Sequence, residues 1–320
     1  MSVLGLTIDY GPFGFLDQYD PQFIPNTTDQ QGRYRFEAQP QVVKWNLLKF
    51  AEALDYAQAM PFALGQEIVQ AEYDAAYKEH YLAKLGRKLG VARLTLEGDE
   101  ELVVALWNTM ELTGADFTNT FRSLARLDLG QGSDNKDLVE YLVSMSSTLR
   151  ELKRASRPRY HRHQLALLAQ LKERDLNTFL IITGGDPDFI EVETAKWEAY
   201  DKLDKLTAEE KSEGDRAKWA TWIAAYKTRV LSELSSSKQS VAEFAAHRRE
   251  SMNKANPKFV LRNYLAQNAI KAADGGDYSE LHRLFKVLTA PFDEHDDVAQ
   301  YGYDGKRPEA FCDFQLSCSS

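Results

Sequence analysis

Asp9 is the residue whose setting is best suited to chemistry. It ends the run Gly5-Leu6-Thr7-Ile8 and precedes Tyr10-Gly11-Pro12-Phe13-Gly14-Phe15. Val3, Leu4, Leu6 and Ile8 predict a short, covered strand. Gly11 lets the backbone turn there without a Cβ penalty. A hard cation such as Mg²⁺ needs one or two carboxylates, with phosphate oxygens and water completing its shell. Asp9 is therefore a candidate metal ligand through which a nucleoside triphosphate would be held. The bare Asp-aromatic-Gly triplet reads equally as a strand followed by a Gly/Pro turn, with Asp9 in water.

Three other groups carry polar chemistry. Ala115 to Arg122 could bring Asp116 or Arg122 to a ligand; the same residues also fit a helix capped by Asp116, with Phe117, Phe121 and Leu124 on one face. In Ser251 to Arg262, the residues Asn253, Asn256 and Arg262 could contact the irregular segment Asp20 to Gln39. Alternatively they satisfy orphan backbone groups at a helix N-terminus. Arg154, Arg157, Arg159, His161, Arg162 and His163 form the one dense basic cluster, either a site for phosphate or an acidic protein, or a solvated connector. The six histidines have no zinc-ligand spacing.

The elements that must position these groups read as mainly helical. Apolar residues recur at helical spacing in 42–54 and 62–89, broken at Pro61, and in the stripe Leu102, Val103, Leu106, Trp107 and Met110 that ends at Gly114. Further helices are expected at about 137–152, around 165–171, from Trp219 onward, from Pro257 through Ile270, and at 281–288. Gly184-Gly185-Asp186-Pro187 and Gly275-Gly276-Asp277 are breakers. Asp20 to Gln39 is polar and irregular, and Thr207 to Lys218 is the best linker candidate.

With 320 residues, 43% hydrophobic and 27% charged, the chain can bury a substantial core in one large or two ordinary domains. Its net charge of -9 argues against nucleic acid or an anionic membrane as partner. No apolar run approaches the roughly 20 residues of a membrane span, and Met1 to Ile8 is no signal peptide. Two cysteines, Cys312 and Cys318, exclude a secreted disulfide scaffold and point to a reducing compartment. For a bacterial protein that is the cytoplasm; targeting is not readable if the natural chain starts upstream of Met1.

Ordered motifs along the chain resemble the selenoprotein O family. They are the Asp9 segment, Gly32-Arg33-Tyr34, Gln39-Pro40 leading to Trp45-Asn46-Leu47, and Ala115 to Arg122. Met252-Asn253-Lys254-Ala255-Asn256-Pro257-Lys258 follows, running into Phe259 to Tyr264, and then Pro291-Phe292-Asp293-Glu294 and Ser317-Cys318-Ser319-Ser320. The resemblance implies a protein-kinase-like C-lobe over 1–206, starting at the metal-binding strand, and a helical C-terminal extension over 207–320, or one continuous domain. Asp20 to Gln39 would be the activation segment. The family transfers AMP rather than phosphate, so a Mg²⁺- or Mn²⁺-dependent protein adenylyltransferase is implied, moving AMP from ATP to Ser, Thr or Tyr hydroxyls of protein substrates. Asp9 would bind ATP through the metal.

In such relatives a β-rich N-lobe, a lysine paired with a glutamate, arginines around the phosphates and an Asp-Asn pair with the presumed base and second metal ligand precede the methionine matching Met1. Complete members are thus α+β, this chain contains no catalytic base, and alone it is expected to be inactive. Cys318 stands where some relatives carry selenocysteine, which implies a redox role on a Ser-rich tail. Cys312 is its one intramolecular candidate partner, because Ile24-Pro25-Asn26 occupies the place of a cysteine in some bacterial relatives. Two other functions stay open: a conventional kinase, and a catalytically incomplete helical binding or regulatory fragment.

Overall fold

A computed structural model of the chain describes residues 13–29, 31–158, 160–312 and 314. The expected first strand, Asp9 and Cys318 lie outside the described residues, as does Arg159. The protein is mainly helical. Among the described residues the helices are α1 (Gln39–Tyr56), α2 (Phe62–Leu89), α3 (Leu96–Thr113), α4 (Phe117–Ser123), α5 (Lys136–Ser144), α6 (Leu149–Ala155), α7 (Arg162–Arg174), α8 (Leu176–Ile182), α9 (Phe189–Asp204), α10 (Ala208–Ser236), α11 (Val241–Ala255), α12 (Asn263–Asp274) and α13 (Ser279–Thr289). The β-pairing among them is an isolated antiparallel bridge between Gln18 and Asp116.

Two compact units divide the chain. One comprises Met1–Ser146 with Arg216–Ser320; the other is Ser147–Asp215. The core of the first is built from α2, α3, α4, α5, α10 and α11, whose Leu89, Leu106, Met110, Phe121, Leu142, Trp219, Tyr226 and Met252 are buried. Each large apolar side chain so buried contributes roughly 1.5–3 kcal/mol. A second cluster joins Phe259, Tyr264 and Leu265 to Leu284 and Val287 of α13. In the smaller unit Leu165 and Phe179 are buried, and Trp197 Nε1 donates to the Tyr160 carbonyl at 2.9 Å.

Where periodicity and caps agree, the helices fall as expected. Pro61 separates α1 from α2, Gly114 ends α3 in the left-handed conformation, and Asp116 caps α4 by accepting from the Asn119 N–H at 2.9 Å. Three expectations need correction. The segment 207–218 is not a linker but the start of α10, because Thr207 and Glu210 form a reciprocal cap: each accepts from the other's backbone N–H, at 2.8 and 3.1 Å. The same device at Thr148 and Glu151 starts α6, so the helix expected over 137–152 is two helices. Pro257 opens no helix. Lys258 and Phe259 instead donate their N–H groups to the Pro291 carbonyl, which holds this stretch extended, and α12 begins only at Asn263.

Candidate functional site

The segment that follows Asp9 is pinned to the start of α4. Tyr19 N–H donates to the Ala115 carbonyl and Phe117 N–H to the Asp17 carbonyl, both at 2.8 Å. Beneath this bridge lies Arg262, buried to 2% exposure. Its Nη1 meets Asp17 Oδ1 at 2.7 Å and Asp116 Oδ2 at 2.8 Å, and its Nη2 donates to Asp116 Oδ1 at 3.0 Å. Burial works against the guanidinium charge, but Asp116 and Asp17 outweigh it and drive its pKa further up. Burial also lifts the Asp116 carboxyl, against the pull of Arg262 and the Asn119 N–H. With this many donors at hydrogen-bond distance we take Asp116 as the ionised partner at neutral pH.

Arg122 joins two more of the motifs. Its Nη1 donates to the carbonyls of Asn253 and Asn256 at 2.9 Å each, and its Nη2 to Phe292 O at 3.3 Å and Glu294 Oε1 at 2.8 Å. Lys258 closes the ring on Glu294 Oε2 at 2.8 Å. Asp116 and Arg122 are thus committed to the framework, in keeping with the capped-helix reading. Arg262 does reach the chain just before the expected activation segment, through Asp17.

Asn256 ties α11 to the end of α2. Its Nδ2 donates to the Lys88 carbonyl at 2.8 Å, and its Oδ1 accepts from Lys88 Nζ at 3.1 Å. Gly90, at φ +60°, ends α2 here; a Cβ on it would stand 2.6 Å from Met252 Sδ. The Lys88 ammonium lies 4.6 Å from the Phe121 ring centre and 5.6 Å from that of Phe117. Burial pulls its pKa down to about 8.

Lys88, Phe117, Thr118 and Asn256 face a cavity of about 500 Å³, with Phe13 to Leu16 on its other side. The cavity therefore lies directly downstream of the Asp9 segment. Phe36, Gln39, Lys88 and Phe117 also line a neighbouring aromatic groove of about 880 Å³ that runs along α2. Sequence reading missed Lys88, which lay inside the expected helix 62–89. The available signal was a lysine at the end of an amphipathic helix, one residue before the Leu-Gly that closes it.

The basic cluster is in the smaller unit. Arg162 Nη2 pairs with Asp201 at 2.5 Å and its guanidinium stacks 4.5 Å from the Trp197 ring centre, while His161 N–H donates to Gln164 Oε1 at 2.8 Å. These two members open α7 and tie it to α9. Cys312 is half-buried, in the turn after Glu309–Phe311. Among the described residues no group of three or more His, Cys, Asp or Glu side chains could hold a metal ion. No helix among them is long and apolar enough to cross a membrane.

The motifs that this framework gathers are those of a nucleotidyltransferase family. The family model described as Protein adenylyltransferase SelO matches residues 1–289. The chain is 42% identical over 293 residues to human "Protein adenylyltransferase SelO, mitochondrial", covering 91% of this chain and 43% of that protein. It is 34% identical over 322 residues to the Salmonella typhi "Protein nucleotidyltransferase YdiU", covering all of this chain and 48% of that one. The chain belongs to the SelO family. It spans less than half the length of these relatives.

Proposed function

We propose that the protein to which this chain belongs is a protein adenylyltransferase with a kinase-like C-lobe. The observation that carries this reading is the family match over residues 1–289. The cavity lined by Phe13 to Leu16, Lys88 and Asn256 supports it with a place for a ligand.

Asp9 is the proposed ligand of Mg²⁺ or Mn²⁺ and, through it, of ATP. The carboxylates Asp17 and Asp116 are engaged by Arg262 and are not candidates for that task. The metal, when bound, would neutralise charge on the phosphates during transfer. The reaction joins the acceptor hydroxyl oxygen to the α-phosphorus and breaks the bond from that phosphorus to the oxygen bridging to the β-phosphate. Pyrophosphate leaves and the hydroxyl proton passes to a general base. This chain's residues hold Asp17 and Tyr19, just before the proposed activation segment Asp20–Gln39, against the start of α4. Cys318 is proposed as a redox-active tail thiol, and Cys318→Ser should remove any response of AMP transfer to thiol oxidants.

In the full-length protein Asp9→Ala should abolish AMP transfer while the circular-dichroism melt stays near that of the parent. Retained transfer in that variant would sink the metal assignment.

A further inference from the structure

One face of α2 carries a row of aromatic and cationic residues that end on open grooves. Tyr73, Tyr77 and Tyr81 form a stacked ladder, with ring centres 6.2 and 5.9 Å apart and planes within 18°. Tyr73 donates to the Pro40 carbonyl at 2.7 Å, and Tyr81 accepts from Trp107 Nε1 at 3.0 Å. Tyr77 between them is 41% exposed, and its hydroxyl has no hydrogen-bond partner among the described residues. Three and then seven residues beyond Tyr81, still at helical spacing, the row continues into Lys84 and Lys88, with Arg87 beside them. Lys84, Arg87, Lys88, Ser251 and Lys254 line a cavity of about 460 Å³. Among the described residues no carboxylate pairs with Lys84, Arg87 or Lys88. Glu37, the acid on the aromatic groove, is taken by Arg35 at 2.8 Å.

In a chain of net charge -9, an unneutralised cationic end on an aromatic groove marks a surface complementary to anionic ligands. Lys88 lines the groove, the basic cavity and the cavity beside Phe13 to Leu16. The strip therefore leads from the aromatic ladder to the cavity beside Phe13 to Leu16. From Tyr73 to Lys88 it measures about 22 Å along the helix, the length of about seven residues of extended chain.

We propose that this strip docks the acceptor protein, as an extended segment with an aromatic or large apolar side chain on the Tyr77 end and carboxylates on the Lys84–Lys88 end. The tyrosine ladder offers ring faces for the apolar side chain, and the free Tyr77 hydroxyl can bond its backbone. The three cations receive the carboxylates, and the modified hydroxyl lies at the acidic end, about three to five residues from the aromatic one. This inference rests on the adenylyltransferase reading above and adds to it the class of substrate sequence.

The test is fluorescence anisotropy on the full-length protein without ATP. One labelled peptide pool carries a fixed serine, glutamates beside it and phenylalanine towards the other end; a second has lysine in place of glutamate. The glutamate pool should bind about tenfold more tightly, less so at high salt. Lys84→Glu with Arg87→Glu should reverse that order. Lys84→Gln with Arg87→Gln, which adds no repulsion, should level it. Equal affinities, binding by neither pool, or an order unmoved by these variants would overturn the proposal. So would a salt-sensitive dimer lost in the same variants, which would make the strip an interface between copies. Glutamate preference without any AMP transfer would instead sink the enzymatic reading and leave the docking strip standing.

Discussion

Arg262 and the Lys84–Arg87–Lys88 group are both clusters of positive charge within one compact unit, and they are treated in opposite ways. Arg262 is 2% exposed and bonded to two aspartates, while Lys84 and Arg87 are exposed and unpaired among the described residues. A buried charge persists only when its partners are built in. A half-wet charge can be left for a ligand, because water meets its cost until the ligand arrives. The contrast separates framework from candidate binding surface: the motif residues Asp116, Arg122 and Arg262 hold the fold together, and the strip on α2 is where a partner has something to bind.

The strongest way to break this comparison is Arg262→Met. Removing one side of a buried ion pair should cost about 3–5 kcal/mol, seen as a large fall in the denaturant midpoint; a fall no greater than that of a surface variant would place Arg262 outside the framework. Arg122→Ala removes charged hydrogen bonds to three carbonyls and Glu294 and should cost about 1.5–3 kcal/mol, with hydrogen exchange rising first around 253–258 and 291–294.

Lys88 sharpens the comparison because it belongs partly to both groups. Asn256, Phe117 and Phe121 face its ammonium, with the cations Lys84, Arg87 and Lys254 around the same cavity. Its folded pKa, about 8, is below the unfolded value of about 10.4. Between those two values the unfolded chain holds the extra proton, so Lys88 makes stability rise with pH across that window. Binding of acidic peptides should fall over the same rise as the ammonium discharges. Lys88→Arg should remove that fall in binding, and Lys88→Met the stability slope. The smallest expected effect is on the stability of Lys84→Glu with Arg87→Glu, within about 0.5 kcal/mol per site, as thermal melts would register.

Much of the helical framework was legible because periodicity and punctuation agree, as in α2 between Pro61 and Gly90. Asp116 was readable as a cap for the same reason. Errors came where one cue was used alone. Polarity suggested a linker at 207–218, yet Thr207 and Glu210 are a capping pair three residues apart. Pro257 looked like a helix start, but its neighbours Lys258 and Phe259 are held extended by the Pro291 carbonyl, 33 and 32 residues away in sequence. Such a long-range bond leaves no local trace. The ion pair of Arg262 with Asp17 and Asp116 was illegible for the same reason, and Lys88 was hidden because a lysine on an amphipathic helix reads as solvated.

The most direct measurement gives the full-length protein ATP labelled at the α- or the γ-phosphate and follows label into an acidic-aromatic acceptor. Parent protein, Asp9→Ala and the Lys84→Glu, Arg87→Glu pair are compared side by side. The expected result is α-label in the acceptor, none with Asp9→Ala, and a reduced amount with the charge-reversed pair. Incorporation of γ-label would contradict AMP transfer and make the protein a kinase.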